Sequence, residues 1–226
     1  MTTLSDIRKA MLKTKLIIFD LDGTLVDTSV DICNAINYAV EPLNVQPVSI
    51  EETKFLVGEG ITKLFEKLLL QKNKNSSCVE LVERFSEYYS AHLIDFSVPY
   101  AGAVETLESL SGFRKAVVSN KRESFTLRIM NELNLSRFFE VIVGGDTVSS
   151  KKPSPEPLNY VLSKLRILPD EAVIVGDSNY DIDAGKDAGM GTVGVTYGFR
   201  SIDYLQDADF IIDSIVELNS LGLLTK

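Results

Sequence analysis

KLIIFDLDGTLVD, residues Lys15 to Asp27, is the stretch whose reading settles the fold. Leu16, Ile17, Ile18 and Phe19 form an unbroken apolar run rich in β-formers, the pattern of a strand covered on both faces in a parallel sheet. Asp20 then falls at the carboxyl end of that strand. Residues two apart in extended chain point the same way, so Asp20 and Asp22 face one small volume, and Gly23 lets the backbone turn tightly beside a ligand. Two carboxylates held that close need a counter-charge. A hard divalent cation with oxygen ligands, most naturally Mg²⁺, supplies it. Taken alone, Asp-Leu-Asp-Gly-Thr is also ordinary turn chemistry after a strand, so the rest of the chain has to decide.

After Asp27 the period changes from strand to helix. Cys33, Ile36, Val40 and Leu43 recur at helical spacing, and Ser49-Ile50-Glu51-Glu52 has the form of a capping box opening a second helix. Gly58 and Gly60 interrupt it. Ile61, Leu64, Phe65, Leu68 and Leu69 mark a third helix, the polar KNKNSS run a loop, and Val82, Phe85, Tyr89 and Leu93 a fourth. From about residue 100 helices and short apolar strands alternate. Helices are expected at 101–111, 122–134, 155–166 and 181–189, with strands at Lys115–Ser119, Glu140–Val143, Ala172–Gly176, Thr192–Thr196 and Asp209–Ile212 and a short closing helix. Such alternation implies βαβ units with right-handed crossovers. The expected fold is α/β: a doubly wound parallel sheet with a Rossmann-like core (14–27 and 96–226) and an inserted four-helix cap (28–95).

Composition narrows the function. The chain has 226 residues, 45% apolar and 24% charged, enough for one sizeable core plus an appendage. A net charge of −9 argues against nucleic acid or an anionic membrane as partner, because both need a basic footprint. Neither the N-terminal MTTLSDIRKAMLK nor any later run reads as a signal peptide or membrane span, so a cytoplasmic location is expected. Cys33 and Cys78 are too few for a disulfide framework or zinc site. His92 is the only histidine, which removes Ser-His-Asp, Cys-His and multi-histidine metal chemistry and leaves acid–base work to carboxylates or lysines.

Ligands of open α/β sheets bind outside the carboxyl ends of the strands. Here the first strand brings Asp20 and Asp22, the second Ser119 and Asn120, the loop beyond the third Lys152, and the fourth Asp177 with Asp181 one helical turn later. DLDGT at 20–24, VVSNK at 117–121, KKPSPEP at 151–157 and VGDSNYDIDAGKDAGM at 175–190 resemble, in order, the four motifs of the haloacid dehalogenase superfamily of phosphotransferases, in its branch with a helical cap after the first motif. SNK at 119–121 and VGEG at 57–60 are similar to the phosphoglycolate phosphatase group of that superfamily.

The resemblance implies a phosphomonoester hydrolase working through an aspartyl phosphate. Asp20 is then the nucleophile. Asp22 protonates the leaving oxygen and afterwards activates water. Mg²⁺ would be held by Asp20, the Asp22 carbonyl and Asp177, with Asp181 behind them or on a metal-bound water. Ser119 donates its hydroxyl and Asn120 a backbone N–H to the phosphoryl group, while Lys152 offsets its charge. Lys121 reads either as a surface lysine or as a substrate contact, Lys151 as facing solvent, Asp27 as a cap at the entry to the insertion, and Asp183 and Asp187 as a solvated helix face. Gly58 and Gly60 would let the backbone meet the non-phosphate end of a small substrate, with 2-phosphoglycolate first among pyrophosphate, nucleotides and sugar phosphates. The alternatives are a sugar-phosphate mutase of the same superfamily and a non-catalytic phosphate-binding protein. Oligomeric state is open.

Overall fold

The structure, a computed structural model, describes residues 14–221. The N-terminal stretch read for a signal peptide lies outside them, as do the last five residues of the expected core. Six parallel strands form one sheet in the order β5-β4-β1-β6-β7-β8, with β1 at Leu16–Phe19, β4 at Arg114–Val118, β5 at Val141–Val143, β6 at Ala172–Gly176, β7 at Gly191–Val195 and β8 at Phe210–Ile212. The chain winds from β1 outward through β4 to β5, then crosses back to β6 on the other side of β1. That reversal beside β1 is the topological switch point of the sheet, where open α/β folds bind ligands.

All four residues of β1 are buried, yet they still alternate between two apolar clusters. Leu16 and Ile18 pack with Leu158, Val161 and Leu165 of the helix Glu156–Leu165. Ile17 and Phe19 join a larger cluster that runs on into Ile36, Phe65, Leu68 and Phe85. These residues, with Leu56, come from four helices between β1 and β4: α1 (Ser29–Val40), α2 (Ile50–Leu56), α3 (Ile61–Gln71) and α4 (Cys78–Ala91). α1 packs against α4 and α2, and α4 also packs against α3. The alternating part of the chain adds α5 (Ala103–Ser109), α6 (Glu123–Glu132), α7 (Glu156–Leu165) and α8 (Asn179–Asp187).

The differences from the sequence reading have local causes. Pro42 cannot continue an α-helix, so α1 stops at Val40 and Leu43 falls in a 3₁₀ turn. The helix expected from 181 starts at Asn179, because Ser178 and Asp181 close a capping box two residues earlier. The closing helix is the 3₁₀ segment Ile215–Ser220. An antiparallel ribbon of β2 (Val26–Asp27) and β3 (Val98–Pro99) joins the two chain crossings into and out of the helical block; two-residue strands are too short to leave a period in the sequence.

Beside that ribbon lies a carboxylate the motifs do not point to. Asp31, 1% exposed, accepts hydrogen bonds from the N–H groups of Phe96 and Ser97 and from the Ser97 hydroxyl, at 2.6–3.1 Å. It ties the first turn of α1 to the returning chain. Asp31→Ala strands those donors in a buried site and is expected to cost about 3 kcal/mol, whereas Asp31→Asn, which keeps one acceptor, costs less. Urea denaturation checks the order of the two midpoints, with m unchanged.

Candidate active site

The sheet register explains why the polar residues meet. Phe19 of β1 lies opposite Val117 of β4 and Val175 of β6, so Asp20, Ser119 and Asp177 leave their strands at nearly the same level. A cavity of about 270 Å³ opens there. Asp20, Asp22, Ser119, Lys121, Lys152 and Asp177 line its sheet side, and Gly58, Ile61, Leu64 and Tyr89 line it from the helical block.

Its electrostatics centre on Lys152, which is 3% exposed. The ammonium donates to the Val118 carbonyl and to Asp181 Oδ1, both at 2.6 Å. It also lies 2.9 Å from Asp20 Oδ1, but off the direction of a hydrogen bond, so that buried oxygen has no hydrogen-bond partner among the described residues. Burial alone would lower the lysine; the Asp181 and Asp20 carboxylates raise it overall. Asp181 is fully engaged, since its Oδ2 accepts from the Ser178 N–H and hydroxyl.

Asp20, Asp177 and Asp181 bring one carboxylate oxygen each within 4.8 Å of one another. Burial pushes the Asp20 carboxyl from the ordinary 3.8 up to about 7, with Asp181 and Asp22 adding to the push and Lys152 opposing it. Asp177 is likewise raised well above the usual range, by burial and then by Asp20 and Asp181. When all three are ionised, three carboxylates against one ammonium leave two uncompensated negative charges, the charge of one divalent cation. The orphaned Asp20 oxygen and the all-oxygen donor set fit a hard metal such as Mg²⁺. Asp177 is aimed by the Phe199 N–H, which donates to its Oδ2 at 2.6 Å. Gly23, at φ +85°, is required beside it because a Cβ there would run into that carboxylate.

Asp22 was expected in the metal set, through its carbonyl. Its side chain stands apart from the carboxylate cluster and takes two donors of its own, Thr28 Oγ1 at 2.5 Å and Lys121 Nζ at 2.6 Å. Lys121 is therefore no surface lysine. Its ammonium, in a side chain 8% exposed, is shared between Asp22 and the Tyr89 hydroxyl at 2.9 Å. Ser119 lines the cavity, and its Oγ accepts from the Lys121 N–H. The Asn120 side chain braces two loops: Nδ2 donates to the carbonyls of Gly58 and Lys152, and Oδ1 accepts from the Lys152 N–H.

Gly58 and Gly60 line the cavity, and each also stands against a side chain of the protein itself. At Gly58, φ +129°, a Cβ would sit 2.8 Å from the Tyr180 ring and 3.3 Å from Arg200, so its missing side chain is space taken by protein. At Gly60, φ +86°, the space holds Lys151 Nζ at 2.6 Å; Lys151 is exposed, as expected, but on the rim of the cavity. Asp27 accepts from the Ser29 N–H at the start of α1, the capping role read for it.

Arg200 escaped the sequence reading. It is 7% exposed and donates to the carbonyls of Phe55 and Val57 at 2.6 Å, while Tyr180 donates to Glu59 at 2.6 Å. Both fasten the loop after α2 over the sheet. A lone arginine in a loop carries no motif, so only the fold reveals it.

The profile of the haloacid dehalogenase-like hydrolase family matches residues 17–195. A phosphoglycolate phosphatase of Aquifex aeolicus is 38% identical over 92% of this chain and 96% of its own length, and one of Vibrio parahaemolyticus is 36% identical over 90% and 94%. The crystal structure of a predicted phosphoglycolate phosphatase from Haemophilus somnus superposes with a TM-score of 0.86 at 30% identity, covering 92% of this chain and 98% of that one. With its carboxylates gathered at the switch point and a family profile and relatives that span most of its length, the chain belongs to the haloacid dehalogenase-like hydrolase family.

Proposed function

We propose that this chain is a Mg²⁺-dependent phosphatase of small phosphomonoesters, with 2-phosphoglycolate as its first substrate, working through an aspartyl phosphate on Asp20. The carrying observation is the charge arrangement around Asp20: a buried oxygen without a hydrogen-bond donor, an ammonium 2.9 Å away and the carboxylates of Asp177 and Asp181, each with an oxygen within 4.8 Å. The relatives named above support the substrate. Free Cys33 and Cys78 agree with the reducing cytoplasm as its compartment.

Asp20 attacks phosphorus and the leaving oxygen departs with a proton from Asp22; water then attacks the aspartyl phosphate while Asp22 takes the proton back. Lys152 and the Ser119 hydroxyl stabilise charge on the transferring group. Asp20, Asp177 and the Asp22 carbonyl would hold Mg²⁺, which supplies charge neutralisation between two anions. Asp181 keeps Lys152 in place. Asn120 links the lysine loop to the Gly58 loop, and Lys151 on the rim is the cation nearest Gly60 for a substrate carboxylate. The helical block, taken as 28–95, would act as a cap that excludes water during the attack on phosphorus.

Asp20→Asn removes the nucleophile at nearly constant shape, so the protein should stay folded and lose turnover by at least about 10³-fold. Phosphate release with an unchanged melting curve is the measurement, and retained turnover rejects the covalent route.

The raised carboxylates link metal to pH. The folded chain holds a proton on Asp20 that the unfolded chain has lost, so that stabilisation is complete below about pH 4 and disappears as pH passes about 7. Without metal, stability should fall over this interval. Mg²⁺ takes the ionised form and releases protons on binding, so its stabilisation should grow in the same direction. Melting curves with and without excess Mg²⁺ near pH 5 and pH 8 test this; an equal shift at both rejects binding at these carboxylates.

Among phosphorylated metabolites, 2-phosphoglycolate should give the highest kcat/KM. A tenfold preference for pyrophosphate or a nucleotide, about 1.4 kcal/mol in transition-state binding, would replace the substrate and leave the chemistry in place.

A further inference from the structure

Asp22 is held asymmetrically. Thr28 Oγ1 and Lys121 Nζ both donate to its Oδ1, whereas Oδ2 has no hydrogen-bond partner among the described residues. A proton on Asp22 cannot occupy an oxygen already accepting from two donors at 2.5 and 2.6 Å without expelling one of them. It belongs on Oδ2. Lys121 is in turn fixed by the Tyr89 hydroxyl at 2.9 Å, and Tyr89 is fully buried in α4, edge-on to Phe125.

We propose that Lys121 and Thr28 are positioning residues for proton transfer, anchoring Asp22 by Oδ1 so that Oδ2 alone carries the proton. This rests on the phosphatase reading above. In the first step the bond from phosphorus to the leaving oxygen breaks as the bond to Asp20 forms, and the oxygen keeps the electron pair and takes the Oδ2 proton. In the second, water attacks phosphorus, the bond to Asp20 breaks, and the water proton returns to Oδ2. Without the anchor the carboxylate rotates, and both transfers lose their aligned donor and acceptor. Lys121 then acts through Asp22, not as a contact to the substrate anion, because its ammonium is already engaged with Asp22 and Tyr89.

The test compares an alkyl and an aryl phosphate in Lys121→Met. With 2-phosphoglycolate or glycerol 2-phosphate, whichever the native chain turns over faster, the poor leaving group needs the proton; kcat should fall about 10²-fold with KM nearly unchanged. With p-nitrophenyl phosphate the first step needs no acid and the second still needs the base. Rapid mixing should therefore show a burst of nitrophenolate equal to the enzyme present, then slow turnover. Lys121→Arg should recover part of kcat, and Tyr89→Phe should move both readouts the same way by less. If Lys121→Met fails to fold, Thr28→Val removes the other donor to Oδ1 and is read by the same burst. A raised KM with kcat unchanged, or equal losses on both compounds without a burst, overturns the positioning role while the phosphatase stands. No turnover of either compound by the native chain overturns the phosphatase reading, and this proposal with it.

Discussion

A single buried ammonium, Lys152, makes the carboxyl ends of the sheet tenable. Burying like charges without compensation is costly, and three carboxylates with oxygens within 4.8 Å of one another would either repel or stay protonated. Lys152 satisfies two of them directly, one through a hydrogen bond and one through charge alone. It reaches them because the Val118 carbonyl takes another of its protons and because Asn120 fixes its backbone from both sides. These partners stand on three segments distant in sequence, at Asp20, Val118–Asn120 and Asp181. The position of the ammonium is therefore a property of the assembled sheet.

The compensation is incomplete, and this gives the site its chemistry. With Asp20, Asp177 and Asp181 all ionised, one ammonium leaves two negative charges among them, and one Asp20 oxygen lacks a directed donor. A fully satisfied cluster would be a structural ion-pair network with little reason to bind anything. Asp22, two residues from Asp20, has a separate counter-charge in Lys121. The two aspartates of one motif thus occupy different electrostatic environments, the usual way for a protein to give like residues unlike roles.

The helical block is joined to this arrangement by polar contacts from the sheet side. Arg200, Tyr180 and Asn120 all engage the loop after α2, through backbone carbonyls or Glu59. The Tyr89 hydroxyl meets Lys121, and Asp31 pins the entry of the block to its exit. These side chains read backbone groups and one another, so the loop over the cavity is held by a few charged hydrogen bonds as well as by Leu56, Val57 and Ile61 packed on the core.

The sequence by itself determined the architecture and the reacting groups. An uninterrupted apolar run ending in Asp20 reads as a buried strand with a carboxylate at its end, and helical and strand periods alternating after residue 100 make that strand part of a parallel sheet. Topology then sends Ser119, Lys152 and Asp177 to the same edge. Periodicity and motif spacing act along the chain, which is why these features were legible. What each charge is paired with depends on contacts between residues far apart in the chain, 145 positions for Arg200 and the Phe55 carbonyl, and no local pattern encodes them. Only the tertiary structure turned Lys121 onto Asp22, filled the space at Gly58 with Tyr180 and Arg200, and buried Asp31 beneath the ribbon of β2 and β3. Side-chain direction follows from packing, and packing exists only once the elements have met.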